Sequence, residues 1–148
     1  MVLNPDFRSF LESLAKHDVR YLLVGGYSVA IHGSPRYTKD LDLWIFADPS
    51  NAERLIRAIE DFGFGSLHLS AADFVIPGYV IQLGQAPARI DLLTSLEGVE
   101  FEGCWRRRLT IDVDGLALPV ISLPDLRANK RALGRHRDLA DLDDLADG

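Results

Sequence analysis

Apolar positions along the chain change their period from segment to segment, and those changes outline the elements. Phe7, Phe10, Leu11 and Leu14 recur at helical spacing, so Pro5 to His17 is predicted as an amphipathic helix with Asn4 as N-cap and Pro5 in its first turn. Arg20 to Val24 is a short apolar run of the kind that forms a buried strand. Gly25-Gly26 breaks it, and Tyr27 to His32 is predicted as a short helix stopped by Gly33. Ser34-Pro35 opens a loop, and Asp40 to Phe46 is a strand that alternates acid and apolar residues at its start. Leu55, Ile56, Ile59 and Phe62 mark a helix over Ala52 to Phe62.

Further on, Phe74 to Ile76, Tyr79 to Leu83 and Arg89 to Leu93 are strand candidates separated by Pro and Gly turns. Thr110 to Val113 and Leu116 to Val120 flank Asp114-Gly115, a strong hairpin signal. A helix opens at Leu123-Pro124-Asp125 with Ser122 as cap, Gly134 interrupts it, and Asp138 to Ala146 forms a final helical turn or two. The expected fold is α/β, a mixed twisted sheet flanked by helices. At 148 residues it is expected to be one domain, with a core over about 20–121 and a C-terminal helical segment over about 122–146.

Composition narrows the classes. No apolar run nears the ~20 residues that span a bilayer. The N-terminus has no basic stretch leading into an apolar one, so a cytoplasmic protein is expected. The lone Cys104 leaves no internal disulfide and no multi-cysteine zinc site, and it reads as a small buried hydrophobe. Net charge is −6, which argues against a general nucleic-acid coat protein. The charge is unevenly placed: residues 1–103 carry −6, residues 104–137 carry +5, and residues 138–148 carry −5. Among the acids, 16 are Asp and 6 are Glu, a skew toward the short, stiff carboxylate that suits caps, turns and metal sites.

Three features carry candidate chemistry. A strand that runs into Gly25-Gly26 and then a helix lets backbone N–H groups approach a phosphate, with the helix dipole in support, although the same residues make an ordinary tight turn. Asp40 and Asp42, two apart on a strand, share a face. Side by side they repel unless a cation lies between them, and Mg²⁺ is the hard cation that takes carboxylate and phosphate oxygens together. A lone acid-x-acid pair also reads as a solvent-facing strand start. Asp91 sits in Arg89-Ile90-Asp91-Leu92-Leu93, where a buried acid asks for a function or for a partner such as Arg89.

Taken together, Leu23-Val24-Gly25-Gly26, Asp40-Leu41-Asp42-Leu43 and Ile90-Asp91-Leu92 resemble the nucleotidyltransferase superfamily of the DNA polymerase β type. More narrowly, Gly25-Gly26-Tyr27-Ser28-Val29, His32-Gly33 and Arg36-Tyr37-Thr38-Lys39-Asp40-Leu41-Asp42-Leu43 look like the minimal nucleotidyltransferases linked to toxin–antitoxin pairs (the MNT partner of HEPN toxins, and AbiEii-like proteins). The stretch from Asp125 through Lys130 to Arg137-Asp138-Leu139 looks like that group's C-terminal helices.

The resemblance covers roughly residues 20–145, and it implies transfer of an NMP group from an NTP, ATP foremost, to a hydroxyl, with release of pyrophosphate. It also implies two Mg²⁺ ions held by Asp40, Asp42 and Asp91, with Asp91 on the acceptor side and able to take the proton. Gly25, Gly26, Ser28, Arg36, Lys39 and Lys130 are the implied nucleotide-binding residues. Many superfamily members have Gly-Ser where this chain has Gly25-Gly26, a departure that fits the small subgroup. The acceptor is left open among protein hydroxyls, tRNA and a small alcohol, as is a homo-oligomer. The alternative is a toxin–antitoxin partner module that docks to a HEPN-type or AbiE-type protein with little or no catalysis.

The remaining motifs have plainer readings. Arg106-Arg107-Arg108 after Trp105 reads as a basic loop, with base stacking on the indole as the sharper option. His17, His32, His68 and His136 lack metal-ligand spacing. Trp44, Phe62 and Phe64 are expected in the core.

Overall fold

The computed structural model describes residues 3–33, 38–63, 68–84 and 88–146. Its elements, in chain order, are α1 (Pro5–Lys16), β1 (Tyr21–Val24), α2 (Gly25–His32), β2 (Leu41–Ile45) and α3 (Pro49–Phe62). A 3₁₀ turn (Ala71–Phe74), β3 (Val80–Leu83), β4 (Ile90–Leu93) and α4 (Phe101–Arg106) follow, then β5 (Leu109–Val113), β6 (Leu116–Val120), α5 (Leu123–Leu133) and α6 (His136–Ala146). Among the described residues the strands form one six-stranded mixed sheet in the order β3-β4-β2-β1-β6-β5. No helix of the described residues is long and apolar enough to cross a membrane.

The central strands β1, β2 and β4 are buried on both faces because helices cover both. Tyr21 and Leu23 of β1, Leu41, Leu43 and Ile45 of β2, and Ile90 and Leu92 of β4 pack with Phe7, Phe10, Leu11 and Leu14 of α1 and Leu55, Ala58 and Ile59 of α3. The alternate residues Leu22, Val24 and Trp44 join a second cluster with Val29 of α2, Phe101 and Cys104 of α4, Leu126 of α5 and Leu145 of α6. Burying each such large side chain is worth roughly 1.5–3 kcal/mol, and that is the term that fixes the strand register.

Helix starts follow their caps. The Asn4 side chain accepts from the Asp6 N–H at 2.8 Å, and Asp48 accepts from the Asn51 N–H at 3.2 Å. The Asp48 cap followed by Pro49 starts α3 three residues before the apolar stripe does, which is why the sequence places it late. At the β5–β6 turn both Asp114 (φ 53°) and Gly115 (φ 82°) are left-handed, the backbone that a two-residue hairpin requires.

Two expectations are corrected. Phe74 to Ile76 is not a strand: a capping box between Ser70 and Asp73 winds Ala71–Phe74 into a 3₁₀ turn that buries Phe74. Arg106, expected in a basic loop, is the last residue of α4, whose six residues are too few for a period to stand out. Phe101 and Cys104 fall on its buried side, and Phe101 stacks on Phe46 and Trp105. The Trp105 ring lies under the Arg108 guanidinium, 3.8 Å from its centroid. Of the expected core aromatics, Trp44 is buried, Phe62 packs edge-on to Phe10, and Phe64 lies outside the described residues.

Candidate active site

Topology brings the sequence motifs to one end of the sheet. β1 runs antiparallel to β2, and β2 runs parallel to β4, so the end of β1 lies beside the starts of β2 and β4. In register, Val24 faces Asp42, Asp42 faces Asp91, and Asp91 faces Gln82, a single row across four strands. Side chains paired this way point to one face. Asp42 and Asp91 therefore stand next to each other on the same surface although 49 residues separate them. Asp40 precedes β2, half-buried, and adds its field.

Crowded acids and low hydration alter the local charge. Asp42 is pushed up to about 7 by burial first, then by the charges of Asp91 and Asp40, and it shares a hydrogen bond with Asp91. Asp91 is only 8% exposed, and Arg89 answers it with a two-pronged bond in which Nε and Nη2 each donate at 3.0 Å to one carboxylate oxygen. The same bond holds the Arg89 guanidinium in its charged form. The partner reading of Asp91 is thus realised in the structure, and Arg89 is set among all three acids.

Gly25 and Gly26 begin α2 directly after β1. Gly25 has φ +67°, and a methyl group on it would overlap the Asp42 carboxylate. A methyl on Gly26 would come 2.9 Å from the Thr38 side chain. Both positions are therefore closed to a side chain, and Gly25 also to an ordinary backbone. Val24 offers no side-chain cap, so the first-turn N–H groups of α2 have no side-chain acceptor from it. Ser28 is fully buried and its hydroxyl donates to the Gly25 carbonyl at 2.7 Å, a bond that stiffens the turn. Thr38 Oγ1, close by, is buried with no hydrogen-bond partner. Lys39 is exposed, and Arg36 lies outside the described residues.

A cleft of about 360 Å³ opens over this end of the sheet. Val24, Gly25 and Asp42 form one part of its lining, Tyr79 and Val80 at the start of the edge strand β3 another, and Asn129, Lys130, Arg135 and Arg137 of the C-terminal segment a third. Lys130 lines the same cleft as Asp42 and Gly25. Nothing in the sequence signals its burial: it is 8% exposed and pairs with Asp138 at 3.3 Å and Asp141 at 3.0 Å. Those acids read in the sequence as part of an acidic tail. Tyr79, Val80 and Asn129 carry no chemical signal in the sequence. His32 ends α2, with its Nε2 2.7 Å from the Ile121 carbonyl.

The donor set at Asp40, Asp42 and Asp91 fits a hard divalent cation in its chemistry. Burial and the neighbouring acids raise Asp42, and the absence of a side chain on Gly25 makes room for its carboxylate. The geometry is not yet closed around a point. No group of three or more His, Cys, Asp or Glu among the described residues converges as an ion would require, and Arg89 occupies both Asp91 oxygens.

The chain has the nucleotidyltransferase fold. Among solved structures it is similar to the lincosamide antibiotic adenylyltransferase LnuA in its lincomycin-bound form, with TM-score 0.60, 16% identity, and 98% of this chain and 97% of that one covered. It is also similar to TM1012 of Thermotoga maritima, described as a candidate nucleotidyltransferase, with TM-score 0.61, 17% identity and coverage of 99% and 96%. An antigenic nucleotidyltransferase-like protein of Paracoccidioides brasiliensis matches with TM-score 0.55, 15% identity and coverage of 95% and 73%. No protein-family model matches the chain, and no curated protein matches it in sequence.

Proposed function

We propose that this protein is a Mg²⁺-dependent nucleotidyltransferase that moves an NMP group from an NTP, ATP foremost, to a hydroxyl acceptor. The observation that carries the reading is the in-register pair Asp42 and Asp91 beside the Gly25-Gly26 turn, with Asp42 and Gly25 on one wall of a cleft whose other wall holds Lys130, Arg135 and Arg137. The acceptor oxygen attacks the α-phosphorus, the bond from that phosphorus to the bridging oxygen breaks, and pyrophosphate leaves with the electron pair. Asp91 takes the acceptor's proton. Gly25 and Gly26 let the phosphate chain lie against the backbone amides of α2, and Lys130 neutralises it from the far wall. Lys39 and Arg36 are assigned to the same chain from the loop before Asp40. Ser28 supports the turn from behind. Two Mg²⁺ ions on Asp40, Asp42 and Asp91 would activate the hydroxyl and steady the leaving pyrophosphate.

The acceptor side is assigned to the part of the cleft at Tyr79 and Val80. Tyr79 is 54% exposed and Val80 59%, an apolar surface beside charged residues. This supports an acceptor with an apolar face. LnuA is an adenylyltransferase of a lincosamide antibiotic, so small hydroxyl compounds stand beside proteins and tRNA as acceptors to test. A cognate HEPN-type or AbiE-type protein is one such protein acceptor. The test is incubation of the chain with each α-³²P-labelled NTP, Mg²⁺ and the three acceptor classes, with Asp42→Asn and Asp91→Asn alongside. Label transferred by the parent chain and lost in both variants is expected. Transfer that persists in Asp42→Asn would overturn the assignment.

A further inference from the structure

Lys130 stands in an unusual setting for a residue that faces a ligand. Its ammonium is held by two carboxylates of the next helix, Asp138 at 3.3 Å and Asp141 at 3.0 Å. Asp138 is fully buried and Asp141 is 6% exposed. Arg135 completes the group: its Nε donates to Asp138 at 2.6 Å and its backbone N–H donates to the same oxygen at 3.2 Å. Two cations and two anions thus balance within the α5–α6 turn.

A buried ion group is a poor device for stability, since the loss of hydration offsets much of the attraction, and apolar residues of like size would serve as well. Its use lies elsewhere. An ammonium has three N–H donors. With two of them directed at Asp138 and Asp141, the third is left for the cleft that Lys130 lines together with Gly25 and Asp42. A lysine free to rotate would lose side-chain entropy on gripping a phosphate, and this one has lost it already.

We propose that Asp138 and Asp141 are positioning residues that aim Lys130 at the phosphate chain of the nucleotide. The proposal rests on the reading of Lys130 as the nucleotide-side cation. It makes α6 part of the binding machinery. Two of the acidic C-terminal residues then orient a cation and do not repel the ligand.

Calorimetry of the full chain with Mg²⁺ plus inorganic triphosphate, and with Mg²⁺ plus α,β-methylene-ATP, tests it. Lys130→Met and Asp141→Asn are each expected to weaken binding about tenfold, the scale of one hydrogen bond to a charged group. Leu145→Ala, which loosens the packing of α6 but keeps the partners of Lys130, is expected to stay within about twofold of the parent, a shift below the scale of a single interaction. In turnover assays Asp141→Asn should raise KM for the NTP and leave kcat in place. Full affinity in Asp141→Asn with weak binding in Lys130→Met would overturn the positioning role alone. Equal weakening in Leu145→Ala and Asp141→Asn would reduce Asp141 to a support of the helix and overturn it too. Full affinity in Lys130→Met would remove the reading beneath it. Should Asp141→Asn not fold, Asp141→Glu carries the same test, because the charge stays while the arm lengthens: weaker binding at unchanged Tm is expected, and unchanged affinity would overturn the proposal.

Discussion

At the scale of the residue, Asp42 is where the conflict among the buried acids can be measured without any turnover. Its carboxyl sits at about 7 in the folded chain against 3.8 as its ordinary value. The folded state therefore holds this proton more tightly than the unfolded state does. Between pH 4 and pH 7 the stability that Asp42 contributes falls as pH rises, and above pH 7 the whole penalty is present. Asp42→Asn removes it. Without divalent cations at pH 8, that variant should be more stable than the parent by about 2–4 kcal/mol, after allowance for partial exposure. Thermal melts should show a gain of roughly 5–10 °C that vanishes at pH 4. A variant equally stable or less stable at pH 8 would mean that the acids are not in conflict. Gly25 gives the opposite sign. A methyl there meets both a left-handed backbone and the Asp42 carboxylate, so Gly25→Ala should lose about 1–3 kcal/mol and lose NTP binding with it. A stable Gly25→Ala chain with full affinity for MgATP would refute the tight approach of backbone to acid.

At the scale of the element, the site depends on strands pinned at their far end. Asn51 of α3 is fully buried, and its side chain accepts from the Arg20 N–H at 2.7 Å and donates to the carbonyls of Arg20 and Phe46 at 3.0 and 2.9 Å. Arg20 enters β1 and Phe46 leaves β2, so one amide clamps the pair whose other end carries Gly25 and Asp42. Asn51→Ala leaves buried polar groups without partners and should cost about 2–4 kcal/mol, read as a fall in the denaturant midpoint at unchanged m. A shift within about 0.5 kcal/mol, the range of an ordinary surface substitution, would show that water replaces the amide. How much of this is legible in the sequence depends on range. α1, α3 and the β5–β6 hairpin follow from local period and caps, whereas the row of Asp42 and Asp91 needs the parallel pairing of β2 with β4, which no local pattern specifies. α4 is hidden because six residues hold too little of a period, and the 3₁₀ turn is hidden because Phe74 and Val75 read equally well as strand. The burial of Lys130 is illegible for another reason. Its partners lie 8 and 11 residues on, across the Gly134 turn, where no periodic rule links them.

At the scale of the whole molecule, the net charge of −6 is less informative than its division. The carboxylates of the site belong to the sheet, while Lys130, Arg135 and Arg137 belong to the C-terminal helical segment, and the cleft lies between the two. A triphosphate alone would meet the cations but also the field of Asp42 and Asp91. A divalent cation alone would meet the acids but also Arg89, already bonded to Asp91. Bound together, each ligand screens what repels the other, so the two must bind cooperatively. Thermal melts under four conditions (no addition, Mg²⁺, ATP, and both) measure this directly. Either ligand alone should shift Tm by a degree or two at most, whereas both at about 100 times Kd should stabilise by about 2.7 kcal/mol, or roughly 5–10 °C. In Asp42→Asn the excess over additivity should shrink, because one of the acids that repel ATP and attract Mg²⁺ is gone. Strictly additive shifts in the parent chain would mean that the acidic and cationic walls serve separate ligands, and the cleft would then no longer be one site.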